Sequence, residues 1–405
     1  MATVTIKDIE LARERLRGVI GATPLFRNRT LSQMLEAEVF IKPENLQKTG
    51  SFKIRGAYNR IAALSPEQAA RGVIAASAGN HGQALAFAAT QAGVKATIVM
   101  PETAAIAKIA ATRGYGQQVV LKGVDYRAAR RAAEELRERS GALFVDAYDD
   151  PFVIAGQGTV GLEIADEIHP DVVMVPVGGG GLIAGIVVAL SLRAPDAKVI
   201  GVEAAGSPQL SASLERGAAS LIGGSVYTIA DGLATGRLGD LPFQLISGRV
   251  RDVVTVDDFE IGAAVLLMLE RLKLLAEGAG AAALAGAIKC KETLKGKRVV
   301  ICISGGNIDI NLLDRIIANG LMKVGRLLRF SVNLLDRPGE LSKLLALIGE
   351  AGANVLAVSH DRTRRDLAIG SVQVMLELET RGPEHIDILR THLEQCGYQL
   401  LNAGG

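Results

Sequence analysis

Short runs rich in Val and Ile, each bounded by Gly, Pro or Ser, recur through most of residues 1–320. They read as strands at residues 39–42, 72–76, 96–99, 118–121, 172–177, 199–203, 252–256 and 298–303. Between them, residues 82–91, 126–140, 157–168 and 259–275 carry apolar positions at helical spacing. Strands alternating with amphipathic helices predict an α/β fold, with parallel sheets covered by helices. The order changes after Arg329: strand 329–335, helix 339–351, strands 354–361 and 368–379, helix 385–396 and strand 398–401. This is the split βαβ, ferredoxin-like order of a small α+β domain. Residues 322–328 read as a linker, which divides the chain into 1–321 and 322–405.

Composition narrows the picture. The 405 residues are enough for two or three domains, and 49% hydrophobic with 22% charged residues is an ordinary globular balance. A net charge of +2, 4% aromatics and no tryptophan speak against nucleic acid and against an anionic membrane surface. Cys290, Cys302 and Cys396 are odd in number and lack metal-ligand spacing, which fits reduced thiols in the cytoplasm. The first residues contain no apolar signal core, so export is not expected. Residues 172–192 are uncharged and long enough to span a bilayer, yet Pro176 and four consecutive glycines break them into strand, loop and helix.

Candidate chemistry lies in the turns. Lys53 sits between Phe52 and Ile54, after Thr49-Gly50-Ser51. Apolar neighbours favour a neutral amine, which carbonyl chemistry requires, although an ordinary surface lysine on a first helical turn fits this window equally well. Ser77-Ala78-Gly79-Asn80-His81-Gly82 joins a strand to a helix, where free amides suit an anion; a simple N-cap turn is the alternative. His81 reads as a structural hydrogen-bonding residue. Gly178-Gly179-Gly180-Gly181-Leu182 follows the strand at 172–177 and forms an amide nest suited to phosphate. Gly179, Gly181 and Ala184 also satisfy the short dinucleotide fingerprint, with Glu203 placed to bind a ribose, so a nicotinamide-dependent oxidoreductase is a rival. Ser304-Gly305-Gly306-Asn307 ends the strand at 298–303, where open α/β sheets bind ligands; a serine N-cap is the alternative. Glu277 reads as a helix-terminus charge, with a group beside a bound cofactor as the alternative.

Together these windows resemble the fold-type II pyridoxal-phosphate enzymes, specifically the threonine dehydratases with a C-terminal ACT-type domain. The resemblance spans residues 48–57, 77–81, 149–159, the tetraglycine loop, 199–203, Ala230-Asp231-Gly232, the segment from Glu277 and the Ser304 turn. It implies a two-lobed catalytic domain whose smaller lobe, about residues 45–150, is inserted in the larger. It also implies pyridoxal 5'-phosphate joined to Lys53 as a Schiff base, Phe52 packed near its ring, and Asn80 bonded to its phenolic oxygen. Gly178, Gly179, Gly180, Gly181 and Leu182 would bind its phosphate, and Ser304 would face its pyridine nitrogen. Ser77, Ala78, Gly79, Asn80 and His81 would receive the substrate carboxylate, and Lys53 would serve as the catalytic base.

A serine at the pyridine nitrogen does not hold the ring protonated. The weaker electron sink suits β-elimination, from threonine to 2-oxobutanoate or from serine to pyruvate, each with ammonia. Related serine racemases carry a second serine where this chain has Ala78, which disfavours racemisation. The segment after Glu203 lacks the acid of their divalent-metal site, so no metal is expected. Asp336-Arg337-Pro338-Gly339-Glu340 and Gly352-Ala353-Asn354-Val355 resemble the ACT domain, which implies an amino-acid effector site and a homodimer or homotetramer.

Overall fold

The apolar run Val-Val-Ile-Cys-Ile is buried throughout, and it forms the middle of the larger sheet as strand β10 (Arg298–Ile303). In the computed structural model, which describes residues 3–223, 226–363 and 367–401, β10 lies between β2 (Glu38–Pro43) and β7 (Val172–Pro176). Next to β7 come β8 (Lys198–Ala204) and β9 (Asp252–Val256), all parallel. Two-residue β1 (Phe26–Arg27) adds an antiparallel edge to β2. A second, wholly parallel sheet has the order β5 (Gln118–Leu121), β4 (Ala96–Met100), β3 (Val73–Ala76) and β6 (Leu143–Phe144). All four of its strands fall between β2 and β7 in the chain. Every strand expected in this region is present. Strands β1 and β6 were not foreseen, because two residues carry no readable period.

Helix packing sets where the site residues stand. Asp150 starts the helix Pro151–Glu167 by accepting the amides of Phe152 and Val153. The helix Gly181–Arg193 is apolar on all sides and buried over most of its length. The two cross where a Cβ on Gly185 would come within 2.5 Å of the Gly158 nitrogen, an approach only glycine allows. The helix Lys53–Ala62 rests on Pro151–Glu167 through Gly56, whose Cβ would stand 2.6 Å from the Val153 carbonyl. The helix expected over 259–275 is shorter. It runs Asp258–Leu267, widens to a π-turn at Met268–Leu272 and stops at Lys273, which has φ 59°.

The chain forms two compact units, Met1–Asp309 and Ile310–Gly405. The boundary expected from sequence, 321/322, falls after this division. Residues 322–328 are not a free linker, because the helix Ile310–Lys323 packs on β11 (Leu327–Leu335) and belongs to the second unit. There β11, β13 (Ser371–Glu379) and β12 (Asn354–Asp361) form an antiparallel sheet in that order. Leu344 and Ile348 of the helix Glu340–Glu350, with Leu389 and Leu393 of Pro383–Gln395, pack on Phe330, Val332, Val374 and Leu376. The strand expected over 398–401 is reduced to one bridge, Leu401 to Ser331 on β11. That bridge lies on the open side of β11, where a fourth ferredoxin-like strand belongs. Among the described residues no helix is long and apolar enough to cross a membrane; 172–192 resolves into β7, the glycine loop and a helix.

Candidate active site

Lys53 is the first residue of its helix, and the turn before it is tied to the end of β10: the Phe52 amide donates to the Ser304 carbonyl at 3.0 Å. Its Nζ donates to the Ala147 carbonyl at 2.8 Å and lies 5.1 Å from the centre of the Phe52 ring. Burial pushes the Lys53 amine down to about 8, partly offset by Asp146 and Glu277. Beneath it, Arg55 is locked by two carboxylates, with bonds of 2.7 and 2.8 Å to Glu44 and 2.8 Å to Glu163 Oε2. Lys42 completes this buried network at 2.6 Å from Glu163. Burial works to raise the Glu44 carboxyl, but the Arg55 charge holds it below its ordinary range. The first turn of the Lys53 helix is therefore anchored by fixed charges.

A cavity of about 200 Å³ opens above this turn. Every residue expected at the site lines it: Phe52 and Lys53, Ser77 through His81, Gly178 through Leu182, and Ser304. The loops come from the carboxyl ends of β3, β7 and β10, where parallel sheets present ligand sites. Ser77 Oγ accepts the Gly79 and Gly82 amides at 3.2 and 2.9 Å, while the amides of Ala78 and His81 make no backbone hydrogen bond among the described residues. The same is true of the amides of Gly178, Gly179, Gly180, Gly181 and Leu182. A Cβ on Gly179 would strike the Tyr148 ring at 2.2 Å, and Gly180 has φ +91°.

His81 Nε2 donates to the Val145 carbonyl at 3.1 Å, and its Nδ1 is buried with no partner among the described residues. Burial, then the Lys53 charge, pushes the ring down to about 4, so it is neutral. Asn80 is held from both sides: its Oδ1 accepts from Asn307 at 2.8 Å and its Nδ2 donates to Glu277 at 2.6 Å. Ser304 Oγ donates to the Ala279 carbonyl at 3.2 Å.

Two sequence readings are corrected. Glu277 stands at the N-cap position of the helix Gly278–Lys289, but its side chain makes no cap bond and turns into the cavity. Burial and then Asp231 push its carboxyl up to about 7. Glu203, offered as a ribose ligand, is fully buried and accepts the Leu210 amide at 2.8 Å and the Ser211 hydroxyl. It caps the helix Gln209–Arg216 and cannot reach a dinucleotide. Tyr148, Lys108 and Asp231 also line the cavity and were not foreseen. Asp231 lies in the Ala-Asp-Gly motif, which could have flagged it; nothing near Lys108 in the chain sets it apart.

The sequence profile of the family described as pyridoxal-phosphate dependent enzyme matches residues 16–305. A curated relative from Thermotoga maritima, named L-threonine ammonia-lyase, is 48% identical over 403 residues, covering 99% of this chain and all of its own length. Among solved structures, the serine racemase of Dictyostelium discoideum superposes with a TM-score of 0.71 at 38% identity, over 76% of this chain and 100% of the other. The processed threonine deaminase isoform 2 of Solanum lycopersicum gives 0.73 at 37% identity, over 77% and 91%. With the lysine turn, the glycine loop and the Asn80 support arranged around one cavity, this chain belongs to the pyridoxal-phosphate-dependent enzyme family.

Proposed function

We propose that this protein deaminates L-threonine to 2-oxobutanoate and ammonia, and L-serine to pyruvate and ammonia. The residues present fit the cofactor. An amine whose pKa burial lowers lines the same cavity as five backbone amides with no backbone partner, at a helix N-terminus that suits a phosphate. That arrangement is the observation that carries the reading. The substrate follows from the T. maritima relative, aligned from end to end.

Lys53 Nζ would hold the cofactor's aldehyde carbon, the glycine loop its phosphate, Phe52 its ring face, Asn80 its phenolic oxygen and Ser304 its pyridine nitrogen. When bound, pyridoxal phosphate supplies an electron sink that acidifies the Cα hydrogen of an amino acid. Lys53 Nζ, oriented by the Ala147 carbonyl, takes that proton at close range. The free amides of Ala78 and His81 receive the carboxylate, within a segment (77–81) that directs the amino acid toward Lys53. Loss of the Cα hydrogen and the β-hydroxyl removes water, and hydrolysis of the resulting enamine returns it, so the net products are the 2-oxo acid and ammonia. Ala78 offers no hydroxyl for delivering a proton to the opposite face, which favours elimination over racemisation.

The second unit is the proposed effector domain, binding a small amino acid near the turn between β11 and the helix Glu340–Glu350, in a homodimer or homotetramer. Its compactness and element order support this. The cytoplasm is the proposed compartment, with the three cysteines as free thiols and Cys302 buried. The test is direct. Purified protein supplied with pyridoxal phosphate and L-threonine should release 2-oxobutanoate without NAD; a requirement for NAD, or absence of the oxo acid, defeats the reading.

A further inference from the structure

Lys108 lies on the helix Ile106–Gly114, which follows β4 of the smaller sheet, and Asp231 lies in the turn Asp231–Leu233 between β8 and β9 of the larger one. Their side chains form an ion pair across the cavity. The pair is lopsided: the Lys108 side chain is 14% exposed and that of Asp231 56%. The lysine stem lies against the 77–81 loop, where a Cβ on Gly79 would stand 3.5 Å from its Cδ and 3.7 Å from its Nζ. An anion seated on the amides of this loop is therefore within reach of the ammonium.

Releasing Asp231 costs little. Its carboxylate is half in water, and Oδ1 keeps the Gly232 amide at 2.8 Å. The lysine is enclosed and needs a counter-charge at all times. Of the other acids, Glu277, which is bonded to Asn80, and Asp309 act on the Lys108 charge less than Asp231 does, and Asp146 is paired with Arg130 at 2.8 Å. The natural replacement is a carboxylate that arrives with the substrate.

We propose that Lys108 is the charged ligand of the substrate carboxylate and that Asp231 is its resting partner, displaced when the amino acid binds. This rests on the amino-acid lyase reading above. It adds an ionic contact to the loop amides and makes the bond between the two sheets responsive to substrate.

Holoenzyme variants test it with two readouts: the KM and kcat for L-threonine, and the calorimetric Kd for butanoate, a carboxylate that cannot react. Lys108→Met should raise KM about thirtyfold with kcat within about threefold, the size of one lost charge-assisted hydrogen bond. It should weaken butanoate by a similar factor, and Lys108→Arg should recover most of both. Asp231→Asn should bind butanoate at least as tightly as the wild type, since the ammonium is then unpaired. Unchanged KM and Kd in Lys108→Met overturn the proposal. So does weaker butanoate binding in Asp231→Asn, which would mark the pair as a structural tie only; that arm decides even if Lys108→Met does not fold. If wild-type enzyme fails to deaminate threonine, the activity reading falls while the butanoate titrations still decide the role of Lys108.

Discussion

Lys53 and Glu277 face the same cavity, and burial moves them in opposite directions, the amine down to about 8 and the carboxyl up to about 7. Each shift has a measurable consequence. Only the neutral amine captures an aldehyde, so the rate at which apoenzyme takes up pyridoxal phosphate should climb between pH 7 and 9 and level off above. Lys53→Ala should lose turnover entirely and show no borohydride-stable cofactor on its peptide map, while its circular dichroism stays that of the wild type. For Glu277 the folded state keeps a proton that the unfolded chain releases near 4.5, so stability falls as pH rises from there through about 7. Glu277→Gln apoenzyme should therefore gain several degrees in Tm over wild type at pH 8 and little at pH 5. A gain of equal size at both pH values would show that ionisation is not the cause.

At the scale of elements, the glycine loop and the Arg55 network do different work. The loop is shaped for close approach: any Cβ at Gly179 collides with the Tyr148 ring, and moving the loop spoils the amide nest. Gly179→Ala should weaken pyridoxal-phosphate affinity about a hundredfold in equilibrium titration, the loss expected from roughly two charge-assisted hydrogen bonds. The network under the Lys53 helix concerns stability. Replacing Arg55 by Met strands the buried Glu44 carboxylate, while Glu163 keeps Lys42, and should cost about 3–5 kcal/mol in urea unfolding, because a buried charge without its partner is far worse than no charge. The network was not anticipated from sequence, because Lys42, Glu44, Arg55 and Glu163 are scattered along the chain and each reads alone as a surface charge.

At the scale of the whole molecule, the chain divides between Asp309 and Ile310 into two compact units. If the second unit senses an amino acid, calorimetry of the full-length protein should give a binding heat with isoleucine or valine, neither of which has a β-hydroxyl to eliminate. That heat should vanish in a chain ending at Asp309, which keeps threonine turnover. No heat with any of these ligands would remove the effector role. The sequence reading and this division differ by the helix Ile310–Lys323, whose packing against β11 leaves no mark in its own helical pattern.

What the sequence by itself determined is local: which short runs are strands, which turns are glycine-built, and which lysine, asparagine and serine are candidates for the site. These follow from period, turn chemistry and motif, all confined to a few neighbouring residues. Only the tertiary structure decided the rest: that Glu277 turns inward, that Glu203 is consumed by a helix end, and that Lys108 meets Asp231 across the cavity. A side chain's charge state and partners depend on what is packed around it, and residues 123 positions apart leave no joint trace in a linear pattern.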